Sequence, residues 1–281
     1  MSNIYILYHG NCQDGLGAKR AAYYKFKNDA TYIPVFYHKP MPEIPDGAEV
    51  YILDFSYPRE ELLRLRVRSQ TLTVIDHHKT AAEDLKGLDF AFFNMEKSGA
   101  VMAWEYFNPE VPVPKLLLRI QDRDIWRWQY KDTKDVLSMV TLAGEDFDLW
   151  DDLETNYENT VKNGKAVSTY QDHCVRLGSE PDKCRIVTYK GHKTALVCCT
   201  HMISEICNTL CLAPELGVAF TIGFFITPEG TAALSFRSNG NLDVSVLAKE
   251  LGGGGHKSAA GASMKLQDFI NIFYTGENAN V

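Results

Sequence analysis

The chain has 281 residues, 45% of them hydrophobic and 23% charged, an ordinary globular composition long enough to bury two cores. A formal charge of −7 argues against a protein that holds long duplex nucleic acid through its overall field, so a nucleic-acid substrate should be short or gripped by a local basic patch. No apolar run approaches the roughly 18 residues needed to span a bilayer. The start, M-S-N-I-Y-I, lacks a basic region followed by a long apolar one, so a cytoplasmic chain without a membrane partner is expected.

In chain order, Ile4 to Tyr8 reads as a strand, followed by H-G-N-C-Q-D-G-L-G, whose glycines allow a tight turn into a helix beginning near Leu16. That turn brings His9 and Asp14 close. Ala30 to Tyr37 reads as a second strand and the Pro-rich K-P-M-P-E-I-P-D-G as a loop. Val50 to Asp54, V-Y-I-L-D, is a strand ending in an acid, and Pro58 opens a helix through Arg68. Leu72 to Ile75 is a short β-branched strand that delivers Asp76, His77 and His78 to its carboxyl end, where ligands bind in an open parallel α/β sheet. Ser98 caps a core-facing helix. The run from Leu116 to Ile120 ends in two acids, Asp122 and Asp124, of which Asp122 is preferred because it follows the apolar run directly. Trp126 and Trp128 read as packing residues rather than stacking platforms.

Four apolar elements that each end in imidazole or carboxylate imply one metal cluster at one sheet edge. From Lys131 to Lys183 the chain is polar and helix-like, and D-F-D-L-W-D-D-L-E reads as a solvated helical face. The domain boundary is expected at G-S-E-P-D-K, residues 178 to 183. That divides a domain of residues 1–180 from one of residues 184–281.

Beyond the boundary, β segments at Ile186 to Tyr189, Thr194 to Cys198, Val218 to Ile226 and Thr231 to Arg237 alternate with helices near Met202 to Cys211 and Val244 to Leu251. The seven cysteines contain no C-x-x-C pair, so neither a disulfide framework nor a structural zinc site is indicated, and Cys207 and Cys211 read as small buried residues. Four glycines, 252 to 255, precede His256 and Lys257. They suit a loop whose free N–H groups approach an anion, with Ala259, Ala260 and Gly261 forming a helix or turn behind it.

D-H-H after a strand, H-x-x-C-x-D-G after the first strand and L-D-F after another together resemble the motif set of the DHH phosphoesterases. The C-terminal string through G-G-G-G-H-K-S-A-A-G resembles the substrate-binding domain that accompanies many DHH domains. The resemblance implies an α/β fold: an N-terminal parallel-sheet domain and a smaller C-terminal α/β domain, with the active site in the cleft between them. It implies two Mn²⁺ ions, one held by Asp14, Asp54, His77 and Asp122, the other by His9 and Asp54, with Asp54 bridging. His78 takes a catalytic, substrate-orienting role, and Arg237, Gly253, Gly254, Gly255 and His256 receive the substrate phosphate.

Cys12 departs from the family, which places an Asp there, and three readings stay open: a ligand, a shift of preference towards zinc or iron, or an under-liganded metal position. Family pyrophosphatases lack this C-terminal loop, and RecJ-like enzymes for long single strands carry further nucleic-acid-binding domains. The resemblance therefore implies a phosphodiesterase for short RNA or linear dinucleotides. A 3′-phosphoadenosine 5′-phosphate phosphatase and a non-catalytic nucleotide-binding protein are the alternatives, and a homodimer is compatible with each.

Overall fold

Alternation of apolar residues in the first strands organises the N-terminal half, because successive side chains of a strand face opposite sides of its sheet. The computed structural model describes residues 3–37 and 39–275, and contacts divide the chain into two units, Met1–Thr169 and Tyr170–Val281.

The first unit runs β1 (Ile4–His9), α1 (Gln13–Phe26), β2 (Ala30–Val35), β3 (Glu49–Leu53), α2 (Arg59–Arg68), β4 (Thr71–Asp76), α3 (Lys79–Asp84), β5 (Ala91–Phe93), α4 (Gly99–Phe107), α5 (Lys115–Asp124), α6 (Thr133–Ala143), α7 (Phe147–Thr155) and the start of α8 (Tyr157–Gly178). Its five strands pair in parallel in the order β2-β1-β3-β4-β5. Ile6, Tyr8, Leu53 and Ile75 pack on one face with α1, α4 and α5, while Leu7, Val50, Ile52, Leu72 and Val74 pack on the other with Leu62 and Leu65 of α2. Both faces are covered, as a parallel sheet requires.

The strand order reverses between β1 and β3, so their carboxyl ends, His9 and Asp54, flank the switch point where α/β sheets open a crevice. The acidic stretch at residues 146–154 forms α7, which buries Phe147, Trp150 and Leu153 and turns its acids outward.

The apolar run Leu116 to Ile120 lies in helix α5, and Trp126 and Trp128 are not core residues. Trp126 is exposed and Trp128 half-buried, and the two indoles meet edge to face at 5.2 Å.

The second unit continues α8 and holds β6 (Cys184–Tyr189), β7 (His192–Cys198), α9 (Ile203–Leu212), β8 (Phe220–Ile226), β9 (Thr231–Ser238), α10 (Val244–Glu250), β10 (Gly254–Gly255), β11 (Ala259–Lys265) and α11 (Leu266–Ile270). Its mixed sheet has the order β10-β11-β9-β8-β7-β6, with only β7 and β8 parallel. Cys207 is fully buried among Ala195, Val197, Ile206 and Leu210, and Cys211 is buried too, as small apolar residues would be.

The segment from Ala259 is a strand, not a helix or turn, and it changes the glycine loop. Gly254 and Gly255 pair with Gly261 and Ala260 of β11, while the N–H groups of Gly252, Gly253 and His256 donate to the carbonyls of Lys249, Ala248 and Ala259. A Cβ at Gly253 would lie 2.0 Å from the Gly261 oxygen, and at Gly255 2.6 Å from that of Ala259. Close packing of backbone on backbone is thus what these glycines serve first, and two amides expected to be free for an anion, those of Gly252 and Gly253, are bonded inside the domain.

Candidate metal centre

Each candidate side chain is delivered by the end of an element. β1 ends at His9, and the turn Gly10 to Cys12 leads into α1, where Cys12 takes the N-cap position without a side-chain cap bond and Asp14 lies in the first turn. Asp14 is buried, and its carboxylate accepts from the N–H of Gly99 at 2.6 Å and of Ala100 at 3.0 Å. These are the first amides of α4, so the acid sits where that helix presents unsatisfied donors and its positive dipole end. The fit is close: a Cβ at Gly99 would fall 2.5 Å from Asp54 Cβ and 3.0 Å from Asp14 Oδ2.

Asp54 follows β3 with φ +53, a left-handed conformation uncommon outside glycine but tolerated by Asp and Asn, and its N–H bonds the carbonyl of Ile75. The twist turns the carboxylate between two imidazoles. His77 Nε2 is 3.2 Å from Oδ1 and His9 Nδ1 is 3.4 Å from Oδ2. Both oxygens are buried, and neither receives a hydrogen bond of normal geometry; the same holds for His9 Nδ1 and Asp124 Oδ2. Buried polar atoms left in this state are uncommon.

His77 Nε2 also stands 3.5 Å from Asp14 Oδ2 and 3.4 Å from Asp124 Oδ2. The donor groups formed include His9 with Cys12 and Asp54, and Asp14 with His77 and Asp124. Cys12 is thus beside His9 and Asp54.

Asp122 is not in the cluster. Its Oδ1 accepts from the Gln129 N–H at 2.7 Å and its Oδ2 from the Tyr130 N–H and the Thr133 hydroxyl, tying down the turn between α5 and α6. Residues two apart on a helix point about 200° from each other, so only one of these acids can face the centre. Asp124 continues the stripe Leu117, Ile120 and Gln121 at helical spacing. Leu117 and Ile120 pack towards α1 beside Gly17, and Gln121 Oε1 accepts from the Ser98 N–H. That stripe was the available signal for Asp124, and proximity to the apolar run was the wrong one.

Asp76 stands behind the cluster. It accepts from the N–H groups of His77 and His78, from the Ser56 hydroxyl, and lies 2.6 Å from His78 Nδ1. Burial works against its charge, but His78 outweighs it and brings the carboxyl down to about 2. The Ser56 contact, the α4 amides and the Tyr37 ring, 5.3 Å from His9 and 6.2 Å from His78, carry no motif in the sequence.

The charge pattern suits a divalent cation. Burial raises Asp14 well above the carboxylate range, and Asp54 and Asp124 raise it further. Asp54 is buried too, but the flanking imidazoles outweigh that and hold it well below. Burial also lifts the Cys12 thiol, reinforced by Asp54, Asp124 and Asp14. Imidazole and carboxylate donors with unsatisfied buried oxygens fit ions such as Mn²⁺, while the one sulfur atom adds a softer donor to the His9 side.

In the second unit the Arg237 guanidinium donates to the Phe236 carbonyl at 2.8 Å and to Ser204 Oγ at 2.7 Å, which orients it from β9. No helix is long and apolar enough to cross a membrane among the described residues.

The model of the DHHA1 domain matches residues 198–274. A protein of Acanthamoeba polyphaga mimivirus, itself uncharacterised, is 31% identical over 278 residues, covering 91% of this chain and 66% of its own length, so the chain spans just under two thirds of that relative. Among solved structures, RecJ of Thermus thermophilus, in complex with Mn²⁺, is similar over 99% of this chain and 51% of its own, with 12% identity and a TM-score of 0.50. PggH, a pGpG-specific phosphodiesterase of Vibrio cholerae, is similar over 96% and 95%, with 13% identity and a TM-score of 0.46. The likeness to RecJ is one of fold. Residues 198–274 thus form a DHHA1 domain, and with D-H-H at the end of β4 and a parallel sheet before it the chain is similar to the DHH phosphoesterases that carry such a domain at the C-terminal side.

Proposed function

We propose that this protein is a metal-dependent phosphodiesterase that hydrolyses short oligoribonucleotides or linear dinucleotides to mononucleotides. The observation that carries the metal-dependent part is Asp54, whose two buried oxygens face His77 on one side and His9 on the other without a normal hydrogen bond. A carboxylate so placed suits a bridge between two cations. Asp14, His77 and Asp124 would hold one ion with Asp54, and His9 and Cys12 the other. Bound Mn²⁺ would make a water acidic and neutralise charge developing on the phosphoryl oxygens.

The chain's own groups supply the rest. Asp76 holds His78 through Nδ1, which selects the tautomer with Nε2 as acceptor; protonated, the same Nε2 donates. His78 can therefore orient a phosphoryl group or move a proton at the leaving oxygen. Asp14 is anchored by α4 before any ligand arrives, so no reorganisation is needed at the moment of reaction.

The preference for short substrates is supported by the DHHA1 domain and by the net charge of −7. In this reading Arg237 and His256 receive the far phosphate, and the amides of Gly254 and Gly255 do so only if their pairing with β11 leaves a donor available. A timed digestion of 5′-labelled RNAs of two to about ten nucleotides, with Mn²⁺ and without, tests the reading. Dinucleotides should disappear fastest and only with metal. Release of phosphate from 3′-phosphoadenosine 5′-phosphate in preference to dinucleotide cleavage would instead mark a monoesterase.

A further inference from the structure

Farther along α1 and α4 from their metal-centre ends lies a cavity of about 420 Å³, within the size range of small-molecule sites. Tyr24 of α1, Trp104 of α4, Pro112 and Pro114 of the connection to α5, and Trp150 of α7 give it flat walls. Trp104 and Trp150 are almost fully buried, and each indole N–H is already used, by the carbonyls of Val111 and Gly144. These rings are held rigid and offer faces rather than donors.

Polar chemistry is confined to a few groups. The Arg20 side chain is more than nine-tenths buried; its Nη2 is bonded to Asp151, and its Nη1 is buried without a hydrogen-bond acceptor. Glu154 accepts from the N–H groups of Lys115 and Leu116, leaving a second lone pair on each oxygen. The lining thus combines flat apolar walls, one buried donor that lacks an acceptor, and carboxylates that can accept.

A simple fatty chain would leave Arg20 unsatisfied, and a strongly anionic ligand would meet Asp151 and Glu154. A neutral planar ring with acceptors and donors on its edge matches all three features. We propose that this cavity is an effector site for a planar nitrogen heterocycle of nucleoside size. Effector fits its place, since the helices that line it carry the centre's parts at their other ends. Asp14 lies six residues before Arg20 on α1, about 9 Å along the axis, Gly99 five before Trp104 on α4, and Asp124 seven after Leu117 on α5. Binding in the cavity does not depend on the metal-centre reading; the effector role does.

Calorimetric titration of the Mn²⁺-loaded full chain with adenosine and guanosine tests both parts. Neither probe has a phosphate for the metal centre. At least one should bind saturably with a Kd below about 1 mM, and saturable binding should persist in Asp54→Asn, changed only by the few-fold factor that coupling to the metal entails. Val111 is 38% exposed at the cavity rim, so Val111→Trp can fill the space without disturbing the core, and binding should weaken at least ten-fold. Tyr24→Ala, which removes an exposed wall, should weaken it too. A saturating nucleoside should shift the Kd for Mn²⁺ at least three-fold in the wild type and not in Val111→Trp. No saturable binding, or binding that both cavity variants leave unchanged, would overturn the site. Loss of binding in Asp54→Asn would place the nucleoside at the metal centre instead. Binding in the cavity with no change in Mn²⁺ affinity would overturn the effector role.

Discussion

Asp54 owes its position to a backbone conformation that few residues accept. With φ +53, replacement by Asn keeps a side chain that tolerates the left-handed region and nearly preserves shape, while removing the charge that faces His9 and His77. Asp54→Asn should therefore keep its melting temperature within a few degrees in the absence of metal. It should lose Mn²⁺ affinity by more than the roughly 10–100-fold typical of a residue that only orients a ligand. Wild-type Mn²⁺ affinity in that variant would remove Asp54 from the bridge. The two acids of α5 make a sharper pair. Asp124→Asn should weaken Mn²⁺ binding with little change in stability. Asp122→Ala should leave Mn²⁺ binding near wild type but destabilise the fold by about 1–3 kcal/mol, because the N–H groups of Gln129 and Tyr130 and the Thr133 hydroxyl lose their acceptor. Denaturant melts and Mn²⁺ titrations of both proteins decide it, and the opposite assignment of effects would restore Asp122 to the centre.

At the scale of elements, the centre is assembled by two ends meeting, the amino end of α4 against the first turn of α1. Gly99 is what allows the approach. In an exposed helix Gly→Ala usually stabilises by about 0.5–1 kcal/mol. Here the new Cβ would stand 2.5 Å from Asp54 Cβ and 2.9 Å from its Oδ1, so the sign should reverse. Gly99→Ala should destabilise by about 1–3 kcal/mol, the usual range for overpacking, and should weaken Mn²⁺ binding in parallel. A stabilised variant with intact metal binding would mean that α4 can shift away from Asp14 without penalty. Helix α5 is held separately: Arg119 grips Asp132 with two hydrogen bonds, and Tyr157 donates to the same carboxylate, joining α5, the N-cap of α6 and the start of α8. Asp124 thus enters the cluster from a helix that is fixed at its middle.

At the scale of the whole molecule, the proposed activity needs both units to act on one substrate. Arg237 donates to Phe236 and Ser204, which sets the direction of a guanidinium whose fork of five N–H groups suits a phosphate. Arg237→Ala should raise KM for a dinucleotide more than it lowers kcat, by an amount equivalent to about 1.5–3 kcal/mol for a lost charged hydrogen bond. Hydrolysis of bis-p-nitrophenyl phosphate, which has no far end to hold, should change much less. Equal losses on both substrates would assign Arg237 to the fold or to the metal centre and remove it from substrate measurement.

What the sequence determined by itself was the set of parts. Strands β1, β3 and β4 were legible because short apolar β-branched runs ending in His9, Asp54 and D-H-H have no other simple reading, and most of the later strands announced themselves by alternation. Tertiary structure decided which atoms meet. Periodicity cannot show that the α4 amides close on Asp14, since residues 14 and 99 become neighbours only when both helices pack on one sheet face. It could have separated Asp124 from Asp122, but only once the segment was known to be a helix and not a strand, because the same two-residue spacing puts side chains on one face of a strand and on nearly opposite faces of a helix. The glycine loop shows the same limit. Four glycines permit free amides or close packing equally well; the turn that ends α10 engages the amides of Gly252 and Gly253, and the pairing of β10 with β11, itself held in register by β9, continues to the His256 amide.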